Sequence, residues 1–574
     1  MNFERFDRKL VSEYASINCW DIIVFSMIVG TFFSMAWSFS KFDIQIIANQ
    51  TNEIHLDPSY LPFYAFRSIL RMLIGLMLSI IFTLIFGTLA AKNPYAERVI
   101  IPMVDILQSV PILGFLSFFS WGFLMFFPGS IIGAECAAIF AIFTSQVWNM
   151  TLSLYQSIKS LPNSYHDLCN HYQLSQWQKF LRVELPFAMP SLVMNMILSL
   201  SSSWFFVVAS EVINFQLFTI KLPGIGAYIQ QADDLGRVDA IGYALFAMLC
   251  TIIISNQLIF GPLFHWLGKF QEDKESAYRS WLVIIFMKTA FFQKIGGFLK
   301  SFFSNFYYPS SLPLLKIQPR RIHTIKKEYK DFVWTVFEVV TLIIFCVILS
   351  NQLLQYVTFT QCLVTMELGF YTFTRIFVML AICLLIWVPI GVWIGLRPKV
   401  SKWTIPVVQI LAAFPVNLVY PLVTILIIKY QLNPEIWVSP LIILGTQWYI
   451  LFNVIAGTQN IPTDLKLAAR SLNLSRLGHW KSLILPAIMP DLLTGIVTAA
   501  GGAWNASIIA EYITWNGNVI VASGIGSFIT EATYHNAFKL QALGILVMCC
   551  YVLLINRLVW APLYHFTTER FKSL

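Results

Sequence analysis

Charged residues are scarce in this chain of 574 residues: Asp, Glu, Lys and Arg make up 12% of it, about half the share of an ordinary globular domain. That shortage excludes a soluble enzyme and a disordered regulator, which need a charged surface or a charged chain to stay in water. Cysteine chemistry is equally thin. The nine cysteines lie mostly in apolar runs, with no CxxC pair and no metal-ligand spacing, which excludes a disulfide-built secreted module and a zinc site. No Gly-x-x-x-x-Gly-Lys-Ser/Thr run occurs. The one Gly-Lys step, Gly268-Lys269, is followed by Phe270 and lacks the earlier glycine, so the chain is expected to carry no cofactor and no nucleotide of its own. Met1 to Asn18 is polar and no small-residue cleavage site follows the first apolar run, which is unlike a cleavable leader.

What the chain has in excess is apolar length. Hydrophobic residues make up 57% of it, in repeated runs near the 20 or so residues that cross a bilayer as a helix. The pattern predicts an all-α polytopic membrane protein with about twelve spans, near 20–38, 66–91, 101–127, 131–157, 187–213, 240–266, 331–354, 369–396, 404–428, 436–457, 487–514 and 540–565. The segment 280–308 is apolar but broken by Lys288, Lys294, Gly296, Gly297 and Lys300, and reads as a helix lying along the membrane surface.

Positive charge is placed unevenly. Between Trp266 and Lys330 there are twelve Lys and Arg against four acids, nearly the whole excess behind the net charge of +9. The segment lies between blocks of membrane helices and carries no nucleic-acid recognition motif, so it reads as a cytoplasmic linker under the positive-inside rule. The basic short loops, around Lys92 and Arg98, Lys159 to Arg182, Arg397 to Lys402 and Lys466 to Lys481, fall on the same side as that linker and both termini. The more acidic loop 41–61 falls on the other. The division is an N-terminal segment with its span and outer loop (1–65), a first repeat core (66–266), the basic linker (267–330) and a second repeat (331–574).

The two halves are copies. At an offset of 300, Pro162 matches Pro462, Ser175 matches Ser475, Leu185-Pro186 matches Leu485-Pro486, Trp204 matches Trp504, Glu211 matches Glu511, and Gly224-Ile225-Gly226 matches Gly524-Ile525-Gly526. Upstream the offset is 304, pairing Arg71 with Arg375, Gly87 with Gly391, and Pro111 with Pro415. An even number of spans per copy makes the repeats parallel, related by an axis along the membrane normal. Two six-helix bundles then face each other, and a solute path between them is the natural functional reading.

Each copy carries a long basic-side loop: Leu161-Pro-Asn-Ser-Tyr-His-Asp-Leu-Cys through Ser175 to Glu184-Leu-Pro, and Ile461-Pro-Thr-Asp-Leu-Lys-Leu-Ala-Ala through Ser475 to Ile484-Leu-Pro. Pro162 and Pro462 suit the first turn of a helix, and Leu465, Ala468, Ala469 and Leu472 recur at helical spacing. Pro186 and Pro486 are expected to break the chain before the next span. These loops resemble the EAA loop of permease subunits of type I ABC importers: Glu-Ala-Ala, three residues, Gly, nine residues, Ile-x-Leu-Pro. Asp167-Leu168-Cys169 and Leu467-Ala468-Ala469 stand at the Glu-Ala-Ala positions, Gln173 and Asn473 at the Gly, and Leu185-Pro186 and Leu485-Pro486 at the Leu-Pro. Neither copy keeps the Glu or the Gly, and the first keeps neither Ala.

The resemblance implies the type I permease fold and a transport role in a bacterial inner membrane, with both termini cytoplasmic. It implies that each loop helix docks in one of two separate ATPase subunits, which bind the ATP and magnesium, and that a periplasmic solute-binding protein delivers solute. Membrane lipid is the other partner and nucleic acid is none. The alternative is a secondary transporter with parallel repeats, driven by an ion gradient; a third class is a structural or sensory membrane protein whose linker binds a partner. The runs Trp…Ala-Ser-Glu-Val-Ile and Trp…Ile-Ala-Glu-Tyr-Ile, each followed by Gly-Ile-Gly, look like the nitrate/sulfonate/taurine branch, which favours a small oxyanion; fused permeases for iron or thiamine remain an alternative. Polar groups at membrane depth are functional candidates by default. Trp204, Glu211, Trp504, Asn505 and Glu511 are accordingly candidates for the pathway or its gating, with a structural carboxylate paired to an Arg or a helix end as the other reading of the two Glu. Arg71 and Arg375 read as helix anchors.

Overall fold

The computed structural model describes residues 54–109, 111–127, 130–215, 218–257, 358–472, 475–535, 537–560, 562, 563 and 567. The spans expected at 20–38 and 331–354, the linker 267–330 and the surface helix 280–308 lie outside the described residues. Contacts divide the chain into one unit of residues 1–41 and 279–363 and another of 42–278 and 364–574. Of the first, only residues 358–363 are described, Thr358 and the first turn of a helix that begins at Phe359.

The second unit holds both repeats. In the first, α1 (Leu61–Phe82) is followed by α2 (Pro94–Ser109), α3 (Ile112–Phe126), α4 (Ile131–Lys159), the loop helix α5 (Asn163–His171), α6 (Leu185–Ser210), α7 (Ile225–Asp234) and α8 (Val238–Ser255). The second runs α9 (Phe359–Gly395), α10 (Pro398–Ala413), α11 (Tyr420–Lys429), α12 (Ser439–Leu444), α13 (Gln447–Gln459), the loop helix α14 (Thr463–Ser471), α15 (Leu485–Ala510), α16 (Ile525–Tyr534) and α17 (Phe538–Ile555). Among the described residues seven helices are long and apolar enough to cross a membrane, and two bent pairs raise that to nine.

Three local features depart from the sequence expectation. The spans expected at 101–127 and 404–428 are interrupted at Pro111 and Pro415, each of which stands in an extended conformation before the next helical turn. At Pro415 the two arms meet at 73°, because proline offers no N–H and its ring clashes with the turn behind it. The span at 436–457 is also bent, by 43°, between α12 and α13. Pro186 and Pro486, by contrast, do not break the chain. A five-residue π-turn, Phe180–Glu184 or Trp480–Ile484, leads straight into α6 or α15; the wider turn makes room for the proline ring. Finally, the helices expected to reach 213 and 514 stop at Ser210 and Ala510. Two-stranded antiparallel hairpins follow, β1 (Val212–Phe215) with β2 (Phe218–Lys221) and β3 (Tyr512–Trp515) with β4 (Asn518–Val521). The second turns on Asn516-Gly517, both with positive φ, the pair that a two-residue hairpin turn favours.

Packing is reciprocal between the halves. Within the repeats α4 lies along α6 and α1, and α13 lies along α15. Across the interface α6 meets the turn Val416–Val419 and α15 meets α3; α8 meets α10 and α17 meets α2; α7 meets β3 and α16 meets β1. Each contact has its mirror, the signature of a two-fold relation between like surfaces. One apolar cluster joins α1, α4, α6, α7 and α8 and reaches Ala413 and Leu418 of the second repeat.

Candidate functional site

Three regions bear on function: a buried carboxylate node in each repeat, cavities where the repeats meet, and the two loop helices.

Glu211 is fully buried where α6 ends. Its carboxylate accepts from Arg71 Nη1 at 2.8 Å, Ser68 Oγ at 2.5 Å and the Gly226 amide at 2.7 Å. The Gly226 amide belongs to the first turn of α7, so the carboxylate also meets the positive end of that helix. The Glu211 carbonyl accepts from Leu222 N at 2.9 Å, closing the hairpin onto the same point. Glu511 repeats this with Arg375 Nη1 at 3.0 Å, Thr372 Oγ1 at 2.8 Å and the Gly526 amide at 2.8 Å. Ser68 and Thr372 receive the amides of Ile225 and Ile525.

The paired glycines follow from this close approach. A side chain at Gly224 or Gly524 would overlap the Glu carboxylate, and one at Gly226 or Gly526 would overlap the carbonyl of Val208 or Ser507. Each arginine also holds a second carboxylate. Arg71 binds Glu135 through Nε at 2.6 Å and Nη2 at 2.7 Å, and Arg375 pairs with Glu435. Sequence reasoning passed over Ser68, Thr372, Glu135 and Glu435, although each pair keeps the repeat offset.

Neither interface cavity is lined by Trp204, Trp504, Glu211 or Glu511. Both tryptophans are buried within the helix packing. Asn505 does line a cavity, a pocket of about 60 Å³ shared with Ser201, Ser202, Thr446 and Tyr449. A larger cavity of about 220 Å³ lies nearer the carboxylate ends of α6 and α15. It is lined by equivalent residues of both repeats, among them Val208 with Ile508, Val212 with Tyr512, Ile213 with Ile513 and Ile229 with Ile529, so the local two-fold passes through it. Tyr420 lines both cavities, with its hydroxyl donated to Leu441 O at 3.2 Å.

The pseudo-symmetry of the larger cavity fails where it is polar. Gln230 has Thr530 as its equivalent, and Asp233 has Thr533. Asp233 is 4% exposed and its Oδ1 has no hydrogen-bond partner. It stands on α7, outside the membrane-crossing helices. Burial, with repulsion from Asp234, pushes its carboxyl from 3.8 up to about 7, against the pull of Gln230, the Asn516 amide and the Thr514 hydroxyl.

The loop helices are anchored by one equivalent residue each, buried Cys169 and Ala469. Tyr165, Leu168 and Tyr172 on one, and Leu467, Ala468 and Leu472 on the other, are exposed. Pro162 precedes α5 as its N-cap, and Pro462 and Asp167 are exposed. Gln173 has φ +48°, the left-handed region that favours glycine, at the position where the EAA pattern has Gly. Asn473 lies outside the described residues. Ser175 caps the following turn in a capping box with Gln178, and Ser475 accepts from the Gly478 amide at 3.1 Å.

A profile of the binding-protein-dependent transport system inner membrane component family matches residues 79–261 and 387–561. The chain belongs to this family, with its domain present twice. The nitrate import permease protein NrtB of Leptolyngbya laminosa is 32% identical over 172 residues, 30% of this chain and 58% of the relative. The bicarbonate transport system permease protein CmpB of Synechococcus elongatus is 30% identical over 188 residues, 32% of this chain and 64% of the relative. The taurine transport system permease protein TauC of Escherichia coli is 26% identical over 183 residues, 32% of this chain and 63% of the relative. The chain thus spans about six tenths of the length of these relatives and is about twice as long as they are. The helical architecture is consistent with the type I permease fold, and the relatives belong to the nitrate/sulfonate/taurine branch of importer permeases.

Two predictions follow from the geometry. Arg71→Met strands two carboxylates and should cost about 3–5 kcal/mol, whereas Ser68→Ala should cost about 1–2 kcal/mol; thermal unfolding in detergent orders the two. Asp233 has a folded pKa above its unfolded value, so the folded state binds the proton more tightly and stability falls as pH rises from about 4 to about 7. Asp233→Asn should therefore raise the melting temperature more at pH 8 than at pH 5. Equal gains at both would contradict the assignment.

Proposed function

We propose that this chain forms the whole transmembrane pathway of an ATP-driven importer, coupled at α5 and α14 to two separate ATPase subunits. The observation that carries this is the pair of equivalent loop helices, each anchored by one buried residue and each exposing large apolar side chains at one end of its repeat. Exposed apolar surface of this kind seeks a partner, and a helix laid into a cleft is one way of meeting it.

In this reading the loop helices and both termini face the cytoplasm of a bacterial inner membrane, and the hairpins and the larger cavity face outward. A solute-binding protein delivers solute to the outer face. ATP and magnesium bind the partner subunits, whose closure draws the loop helices together. The bundles rock about their two-fold interface, and solute passes from the larger cavity beyond Tyr420 to the pocket at Asn505. Hydrolysis resets the bundles. The repeat interface has two discrete packings in such a cycle, which is what lets a movement at the loops reach the outer cavity.

The test is uptake by vesicles that hold the chain with its copurified ATPase. Leu168→Asp and Leu467→Asp should each lower ATPase recovery and ATP-driven uptake at least about tenfold, as loss of a central apolar anchor does. Folding should change by no more than about 0.5 kcal/mol, since both residues are exposed. Accumulation that survives removal of the ATPase would overturn the proposal.

A further inference from the structure

The larger interface cavity has a chemical bias that its symmetry does not require. Two of its acceptor oxygens, Asp233 Oδ1 and Asn417 Oδ1, are buried and without a hydrogen-bond partner. They come from different repeats. Tyr420, Tyr512 and Tyr534 add aromatic surface to the walls, the last two stacked with ring centres 5.3 Å apart. Among the described residues, no Lys, Arg or His lines the cavity, and Asp233 forms no ion pair. Its neighbour Asp234, in contrast, is taken up by Lys221.

Unpartnered buried acceptors are costly and call for a donor. A carboxylate in a cavity lined with tyrosines, with no cation of its own, is the surrounding in which an organic ammonium is held. An oxyanion entering the same space would meet a carboxylate and no balancing charge. We propose that this cavity recognises a small organic cation, an amine or amidinium whose N–H groups donate to Asp233 Oδ1 and Asn417 Oδ1. The site is one-sided, since the position equivalent to Asp233 is Thr533, so it orients a solute that is itself asymmetric. A volume of about 220 Å³ suits a ligand smaller than drug-sized. The raised pKa of Asp233 agrees, because a carboxyl that lacks a counter-charge ionises when one arrives. As a statement about transported solute, the proposal rests on the permease reading above; as a statement about binding, it does not.

The experiment is thermal unfolding of the full-length chain, with its copurified partners, at constant ionic strength. The probes are ethanolamine, choline and benzamidine on one side, and nitrate, bicarbonate and methanesulfonate on the other. At least one cation should raise the melting temperature saturably, and no anion should. Asp233→Asn should raise the half-saturating concentration at least about tenfold, and Asn417→Leu should act in the same direction. The exchange Asp233→Thr with Thr533→Asp, which moves the carboxylate to the equivalent place, should restore most of the affinity. A saturable shift by an anion, a cation shift that both single variants leave untouched, or no saturable shift from any cation would overturn the site. Loss of ATP-driven uptake with the cation shift intact would instead overturn the permease reading and leave the site standing.

Discussion

A carboxylate buried where a long helix ends is the constraint from which much of this architecture follows. Glu211 and Glu511 are out of contact with water, and an unpaired charge there would be untenable. Each is met by a guanidinium, a hydroxyl and the first turn of the next helix. That set of partners explains a scattered group of residues in one step. The glycines of Gly-Ile-Gly let the backbone approach the carboxylate, the hydroxyl of Ser68 or Thr372 relays to a second amide, and the arginine ties in Glu135 or Glu435 from another helix. Three or four elements of each repeat are thereby held at one point, and the hairpin that closes onto Glu211 or Glu511 is placed beside the repeat interface.

That placement gives the interface its character. Reciprocal contacts bring equivalent positions together around a local two-fold, and the larger cavity lies on it. Gene-level duplication alone would leave such a cavity symmetric. Fusion into one chain frees each half to vary, and the differences at Gln230/Thr530, Asp233/Thr533 and Leu116/Tyr420 all fall on the cavity wall. Other positions of the same wall stay matched, as Ile213/Ile513 and Ile229/Ile529 show.

Much of this was legible in the sequence. Apolar run length marked the spans, and the constant offset marked the duplication, because both are periodic signals carried by many residues. The loop helices were legible from Pro162 and Pro462 and from their spacing to Leu-Pro. Gln173 shows the limit of reading by residue type: it departs from the glycine of the pattern yet adopts the left-handed conformation glycine would supply. The hairpins were hidden, since Val212–Lys221 and Tyr512–Val521 are apolar enough to extend a span. So were the opposite outcomes at prolines, a sharp bend at Pro415 and a π-turn ahead of Pro186, which tertiary packing decides. Trp204 and Trp504 drew attention as large polar-tipped groups at depth, and they are packing residues away from both cavities. Asp233 drew none, because an Asp-Asp pair in a short segment reads as solvated until its burial is known.

The central claim is that one chain supplies both halves of a permease and presents two docking helices to an ATPase pair. Native mass spectrometry of the complex extracted from its own membrane in mild detergent measures this most directly. The account predicts one copy of this chain with two ATPase subunits, identical or different. This chain recovered without any ATPase, under conditions that keep a known transporter of the same class intact, would contradict it.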